Sequence, residues 1–218
     1  MPEISNVENA STLIFDLDGT ISNPSLGIYR SINYALTVHG YAAVSEAQVA
    51  SEIGPPLDEA FKKFVPEAEQ VEIENLVVTY RERYAEVGYS ENSVYQGVPE
   101  ALQALSSRGV CLGVCTSKRQ DFAIKILSMF GLLDHFSFVN GGDVGIKKKD
   151  QLAGLLRSGQ IDVAAVMIGD REIDITSAKL NGLRSVGVLW GFGDLNELLA
   201  AGANVVLSHT SELERLGI

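Results

Sequence analysis

The sequence predicts an α/β fold, with a doubly wound parallel sheet as its core and a helical domain inserted after the first strand. Short β-prone runs alternate with helical runs, as in consecutive β-α-β units. The strand runs are apolar almost throughout, which is typical of strands buried on both faces of a parallel sheet. The chain has 218 residues, 46% of them hydrophobic, which suits one large domain or a core with a modest insertion.

Six segments are predicted as core strands, because each is a short apolar run bounded by polar or glycine-containing stretches. They cover residues 12–16, 110–116, 136–140, 163–169, 185–189 and 204–207. The second contains Cys111 and Cys115, whose Cα atoms would lie about 13 Å apart on a strand. A disulfide needs about 7 Å or less, so we expect two small apolar side chains rather than a bridge between them.

Helices are predicted between these strands from apolar spacing and from their end signals. Pro99 suits the first position of a helix that ends before Gly109. Three further helices are each followed by glycine, the residue that most often ends a helix. They cover residues 119–130, 173–181 and 194–201.

The segment from residue 21 to residue 96 shows no convincing strand and is predicted as a helical domain, with 1–20 and 97–218 forming the α/β core. Apolar residues recur at helical spacing in 26–39, and 57–64 and 67–86 also read as helices. Ser45 followed by Gln48 has the form of a capping box, which marks a helix start.

The composition excludes several classes of partner. The 17 basic and 28 acidic residues give a net charge of −11, whereas a protein that binds a nucleic-acid polymer needs a basic stripe and a membrane-surface helix needs Lys and Arg. The first ten residues lack the basic start and apolar run of a signal peptide, and no apolar run approaches the roughly 18 residues of a membrane span. We therefore expect a cytoplasmic protein; monomer and homodimer both remain open.

Acidic residues follow two of the predicted strands. Asp16 and Asp18 emerge on one side of an extended chain, and Gly19 lets the backbone turn beside them. Asp170 and Asp174 follow the strand 163–169. The carboxyl ends of parallel strands form the ligand sites of such folds, and carboxylates suit a hard cation such as Mg²⁺. Taken alone, the first pair is also compatible with an ordinary Asp-Gly turn.

Two other strand ends supply groups that suit a phosphoryl group. Thr116 and Ser117 end the second core strand, and a lysine triplet, Lys147 to Lys149, precedes a short helix. Hydroxyl and ammonium groups donate hydrogen bonds to phosphoryl oxygens. A lysine triplet is otherwise a common feature of a solvated surface.

This set of motifs resembles the haloacid dehalogenase superfamily of phosphotransferases, from about residue 11 onward. The resembling elements are Asp-x-Asp-Gly-Thr, a Ser/Thr strand end, a lysine and Gly-Asp-x-x-x-Asp. Segments 23–28 and 188–193 look like the phosphoglycolate phosphatase group, some of whose relatives are labelled 5′-nucleotidases. The resemblance implies a Rossmann-like core, an α-helical cap over residues 21–96 and Mg²⁺ as cofactor.

The resemblance also implies roles for the acids. Asp16 attacks phosphorus and forms an aspartyl-phosphate, while Asp18 protonates the leaving alcohol and then takes a proton from water. Mg²⁺ is held by the Asp16 carboxylate, the Asp18 carbonyl and Asp170, with support from Asp174. Because dehalogenases of this superfamily lack the second acid, the resemblance implies hydrolysis of a phosphoester.

The remaining implied residues contact the substrate. A lysine binds the phosphoryl oxygens, and Lys148 is favoured over Lys147 because Asp150 then occupies the position of an acid found in related sequences. Arg30 in the helical segment is either a substrate contact or a solvated helix arginine. The substrate-binding set is Gly19, Thr116, Ser117, Lys148 and Arg30.

The leading hypothesis is therefore a phosphomonoesterase acting on a small metabolite, phosphoglycolate-like or a nucleoside monophosphate. A phosphosugar mutase of the β-phosphoglucomutase type would use the same intermediate but must exclude water from it. A non-catalytic or receiver-like phosphate-binding signalling protein is the alternative from another class. Receivers have no helical insertion after the first strand, which favours the enzyme.

Overall fold

The computed structural model describes residues 7, 9–54, 56–142 and 145–216. Most of the polar start, on which the predicted lack of an export signal depends, lies outside the described residues, as does Pro55 in the predicted helical segment. The strands are β1 Thr12–Phe15, β2 Ser22–Asn23, β3 Ser93–Val94, β4 Cys111–Arg119, β5 Phe138–Gly142, β6 Val166–Gly169, β7 Arg184–Val188 and β8 Val205–Leu207.

Six of these strands form one parallel sheet in the order β5-β4-β1-β6-β7-β8, which confirms the predicted fold class. Phe15 at the end of β1 pairs with Val114 on one side and with Ile168 on the other. On one side of β1 the chain adds β4 and then β5. On the other side it adds β6, β7 and β8 in turn. The winding direction therefore switches between β1 and β6, where such folds bind ligands.

The helices match the predicted segments closely. They are α1 Ser25–Val38, α2 Glu46–Ala50, α3 Leu57–Phe64, α4 Gln70–Glu86, α5 Val98–Ser107, α6 Gln120–Met129, α7 Lys148–Arg157, α8 Glu172–Leu180 and α9 Leu195–Ala201, with 3₁₀ turns at Gly88–Ser90, Leu133–His135 and Thr210–Arg215. The capping box at Ser45 and Gln48 is present at the start of α2. None of the described helices has the length and apolar character needed to cross a membrane.

The chain divides into two compact units, residues 1–23 with 94–218 and residues 24–93. In the first, α7 and α8 cover one sheet face, where Leu152 and Ala178 join Ile14, Cys115 and Met167 in a buried cluster. In the second, α1, α3 and α4 share a core that includes Ile32, Phe61 and Tyr80. Phe61 meets Tyr80 edge to face, with ring centres 6.4 Å apart.

The expectation that residues 21–96 contain no strand is wrong in one detail. Ser22–Asn23 and Ser93–Val94 form a two-stranded sheet where the chain leaves the first unit and returns to it. Two-residue strands carry too little alternation to be recognised from a sequence. The cysteine prediction agrees with the structure, because Cys111 and Cys115 are both free thiols on β4.

Candidate active site

A tight turn after β1 presents Asp16 and Asp18 at the carboxyl edge of the sheet. The Asp16 N–H donates to the Ile168 carbonyl at 2.8 Å, which extends the β1–β6 pairing by one residue. The Leu17 carbonyl then accepts from the N–H groups of Ile21 and Ser22. Gly19 has φ +87°, a conformation that other residues rarely adopt, and it makes this turn possible.

Three of the predicted acids meet in one buried cluster. Carboxylate oxygens of Asp16, Asp170 and Asp174 all lie within 4.8 Å of one another. Asp16 follows β1, whereas Asp170 and Asp174 follow the neighbouring strand β6 and its turn into α8. The parallel pairing of β1 with β6 therefore brings together residues that are more than 150 positions apart.

Lys148 is the lysine that the structure places among these acids. Its Nζ lies 3.0 Å from Asp16 Oδ1 and donates a hydrogen bond to Asp174 Oδ1, and its side chain is 1% exposed. Burial opposes its charge, but Asp16 and Asp174 outweigh that effect and raise the pKa of Lys148. Lys147 and Lys149 are exposed, which gives the geometric reason to prefer Lys148.

Asp18 is held by a lysine that the sequence reasoning did not assign. Lys118 Nζ lies 2.8 Å from Asp18 Oδ2, and both side chains are largely buried. Burial raises the pKa of Asp18, while Lys118 opposes this shift. The available signal was position, because Lys118 stands two residues after Thr116 at the same strand end.

Thr116 is buried at the end of the regular β4–β5 pairing. Its Oγ1 accepts a 3.2 Å hydrogen bond from the Lys118 N–H, and its carbonyl accepts one of 3.1 Å from Gln151 Nε2. Gln151 lies one helical turn after Lys148 in α7, so a single helix positions both groups. Ser117 is exposed next to Thr116.

Asp170 is completely buried, and both of its oxygens have neighbours. Oδ2 accepts a 2.8 Å hydrogen bond from the Phe192 N–H, and the Thr20 hydroxyl lies 3.4 Å from Oδ1. Burial, with the charges of Asp174 and Asp16, raises the pKa of Asp170 to about 8. Gly19 lies so close that a Cβ there would overlap this carboxylate.

Arg30 belongs to the second unit, on α1. Its guanidinium pairs with Glu91 at 2.6 Å, and Glu91 also pairs with Arg83 at 2.9 Å. These three residues form a network within residues 24–93. A substrate contact by Arg30 therefore stays a prediction.

The donor set of the first unit fits a divalent cation. Three carboxylates face one ammonium group in the cluster, so negative charge remains in excess. Asp18 Oδ1 is buried and accepts no hydrogen bond from the described part of the chain, and the described neighbour of the buried Asp16 Oδ1 is the Lys148 ammonium at 3.0 Å. Hard oxygen donors with spare capacity are what Mg²⁺ prefers, and buried carboxylates of like charge need such a counterion.

The family model for haloacid dehalogenase-like hydrolases matches residues 13–188, a range that includes Asp16, Asp18, Arg30, Thr116, Lys148, Asp170 and Asp174. The chain belongs to the haloacid dehalogenase-like hydrolase family. The predicted resemblance is thereby confirmed.

Three curated relatives cover most of the chain. A 5′-nucleotidase of Pseudomonas aeruginosa is 39% identical over 86% of the chain and 86% of its own length. A phosphoglycolate phosphatase of Pectobacterium atrosepticum is 32% identical over 92% and 89%. The tyrosine-protein kinase PtkA of Mycobacterium tuberculosis is 33% identical over 96% of the chain and 72% of its own length. The family match and the phosphatase relatives together identify the chain as a phosphoric monoester hydrolase.

A solved structure shares the fold along nearly the whole chain. The crystal structure of a predicted phosphatase from Clostridium acetobutylicum has a TM-score of 0.88 and 32% sequence identity, covering 94% of this chain and 97% of that one. The predicted Rossmann-like core of this family is therefore confirmed.

Proposed function

We propose that this hydrolase releases phosphate from a small cytosolic metabolite, phosphoglycolate-like or a nucleoside monophosphate, with Mg²⁺ and through an aspartyl-phosphate on Asp16. The observation that carries the proposal is the buried cluster of Asp16, Asp170, Asp174 and Lys148. The named activities of the phosphoglycolate phosphatase and 5′-nucleotidase relatives support the two substrate classes.

In the first half-reaction, an Asp16 carboxylate oxygen attacks phosphorus and the bond from phosphorus to the ester oxygen breaks. Asp18 gives its proton to the departing alkoxide, so the leaving group is a neutral alcohol. Lys148 holds Asp16 in place and, with Thr116, donates to the phosphoryl oxygens. Bound Mg²⁺, held by Asp16, the Asp18 carbonyl and Asp170 with support from Asp174, would supply further charge neutralisation.

In the second half-reaction, water attacks the phosphorus of the aspartyl-phosphate. Asp18, now ionised, takes a proton from that water, and the bond from phosphorus to Asp16 breaks. Inorganic phosphate and the free Asp16 carboxylate are restored, and Asp18 is again protonated. Lys118 is well placed to hold the Asp18 carboxylate in one orientation through both steps.

We further propose that residues 21–96 act as the substrate-selecting cap domain of a core formed by 1–20 and 97–218. Cap residues select the substrate in this proposal, and Arg30 is the candidate for contact with a substrate carboxylate or nucleotide. The support for this proposal is that the core cluster consists of carboxylates and a lysine, groups that suit the phosphoryl end of a substrate and its cation.

The test is a panel of phosphate monoesters incubated with purified protein, with and without Mg²⁺. We expect Mg²⁺-dependent release of inorganic phosphate, and a loss of at least about 10³-fold in the Asp16→Asn variant. Asp121→Asn, which changes an exposed carboxylate on α6, is the matched control and should retain activity. Unchanged turnover in Asp16→Asn would refute the nucleophile assignment.

The same panel separates the competing activities. A phosphosugar mutase would isomerise a hexose phosphate and release little phosphate. A protein kinase, the activity named for the PtkA relative, would move phosphate from ATP to a tyrosine. Either product in place of free phosphate would contradict the proposal.

A further inference from the structure

The loop that follows β7, residues 190–193, packs directly against Asp170. The Phe192 N–H donates its 2.8 Å hydrogen bond to Asp170 Oδ2. A Cβ added to Gly191 would overlap both the Asp170 carboxylate and the Gly19 carbonyl oxygen, and one added to Gly193 would overlap the Asp170 carbonyl oxygen. Backbone of the loop therefore touches both the side chain and the main chain of this acid.

The two loop glycines provide space rather than an unusual backbone conformation. Neither Gly191 nor Gly193 has a positive φ, so alanine could adopt the same backbone at either position. Its methyl group would nevertheless need the volume that Asp170 occupies. Gly154 in α7 is the opposite case, because the nearest atom to an added Cβ is 3.9 Å away. The chain thus offers a matched pair of Gly→Ala substitutions.

Trp190 ties the same loop to the turn that follows β1. Its indole Nε1–H donates a 2.9 Å hydrogen bond to the Thr20 carbonyl. The Thr20 hydroxyl in turn lies 3.4 Å from Asp170 Oδ1. The Asp170 carboxylate is therefore held at one oxygen by the turn and at the other by the loop.

The helix that follows the loop supports the neighbouring backbone. Glu197 in α9 accepts hydrogen bonds from Arg171 Nε at 2.9 Å and from the Glu172 N–H at 2.7 Å. The Arg171 N–H donates to Asp174 Oδ2 at 3.1 Å. Residues 190–197 thus form one continuous support for the turn that carries both acids.

We propose that the 190–193 loop is a positioning element for the cation site: it fixes the rotation of the Asp170 carboxylate before the cation binds. Mg²⁺ demands near-ideal octahedral geometry, and partners that orient a ligand typically change metal affinity by about 10- to 100-fold. The inference rests on the proposed Mg²⁺ site and adds to it the residues that shape it.

The test measures Mg²⁺ binding to the purified full chain by isothermal titration calorimetry without substrate. Gly191→Ala should raise the Mg²⁺ Kd by about 10- to 100-fold, and Trp190→Phe by at least about threefold. Gly154→Ala should stay within about twofold of the wild type, because its methyl group would meet only the Arg157 side chain, at an ordinary contact distance of 3.9 Å. In turnover assays, Gly191→Ala should raise the KM for Mg²⁺ while kcat recovers at saturating Mg²⁺, a split that general loss of structure would not produce.

The outcomes separate this inference from the proposed function. A wild-type protein that binds no Mg²⁺ would overturn the metal site and the role of the loop together. Wild-type affinity in a folded Gly191→Ala variant would overturn the role of the loop alone. Circular dichroism reports folding, and if Gly191→Ala does not fold, wild-type affinity in Trp190→Phe overturns the inference instead.

Discussion

Lys148 differs from the lysines on either side of it by its surroundings, since all three have the same side chain. Lys147 and Lys149 are solvated, whereas Lys148 begins α7 with its ammonium group between Asp16 and Asp174. A buried charge of this kind is tolerated only because it is paired and hydrogen-bonded. Removing Lys148 would therefore leave the charges of Asp16 and Asp174 buried without a partner.

We expect Lys148→Met to lower phosphate release by at least about 10³-fold and to lower the free energy of unfolding by about 3–5 kcal/mol. The substitution leaves Asp16 and Asp174 buried without their counter-charge. Steady-state assays and urea unfolding measure the two effects. Lys149→Met, one position along, should change stability by less than about 0.5 kcal/mol; equal effects of the two substitutions would contradict this account.

The contact between Lys118 and Asp18 leads to a prediction about how activity depends on pH. Burial raises the pKa of Asp18 and Lys118 opposes the shift, so Lys118→Met should raise that pKa further. In the proposed mechanism Asp18 must be protonated in the free enzyme, and in this variant it stays protonated to higher pH. The alkaline limb of the kcat/KM profile should therefore move to higher pH. Lys149→Met again serves as the control, and an unmoved limb in Lys118→Met would exclude Asp18 as that group.

At the scale of elements, the site is assembled by strand ends and by one helix start. β1 and β6 bring three acids together, while β4 supplies Thr116 and Lys118. Helix α7 supplies Lys148 and, one turn later, Gln151. Gln151 Nε2 bridges the Thr116 carbonyl at 3.1 Å and Asn140 Oδ1 at 2.8 Å, so it joins α7 to both β4 and β5.

Gln151→Met keeps the volume of this side chain but removes both hydrogen bonds. The Thr116 carbonyl and the Asn140 amide oxygen lose a donor in a buried setting, which should cost about 1–3 kcal/mol of unfolding free energy. We also expect a higher KM for the phosphorylated substrate, because Thr116 loses its support. Urea unfolding and steady-state kinetics test this, with the exposed Gln160→Met as the control; equal stability of the two variants would contradict the proposed bridge.

At the scale of the whole molecule, the net charge of the surface and the local charge of the acidic cluster respond differently to added cations. The chain carries a net charge of −11. Self-repulsion of that surface is screened by any salt, whereas the cluster of Asp16, Asp170 and Asp174 could hold a cation at one place. A specific site and general screening can therefore be separated by experiment.

We expect Mg²⁺ at 100 times its Kd to stabilise the folded protein by about 2.7 kcal/mol, which corresponds to a rise in Tm of about 5–10 °C. Calorimetry with NaCl of matched ionic strength removes the screening contribution. Asp170→Asn should lose the Mg²⁺-dependent rise. Without Mg²⁺ it should melt at a higher temperature than the wild type at neutral pH, because the pKa of Asp170 is raised to about 8 in the folded protein, so folding must protonate this carboxyl or bury its charge, and asparagine avoids that cost. A rise that NaCl reproduces would argue against a specific site.

Several site residues were predictable because their signals are local. Asp16, Asp18 and Asp170 each stand at the end of an apolar run that reads as a strand, and Asp174 lies in the first turn of the helix that follows. Strand ends meet at one edge of a parallel sheet. Lys118 and the 190–193 loop were not assigned, since their partners lie about 100 and 20 residues away. The Gly191-Phe192-Gly193 sequence is explained by its packing on Asp170.

The sequence by itself determined the order of the six core strands and the helices between them, and the polar groups that follow the strand ends, because apolar periodicity and end signals are properties of short segments. Only the tertiary structure decided which of three adjacent lysines is buried, which lysine holds Asp18, and why two glycines lie beside Asp170. Those choices depend on distances between remote segments, and such distances exist only once the sheet has formed.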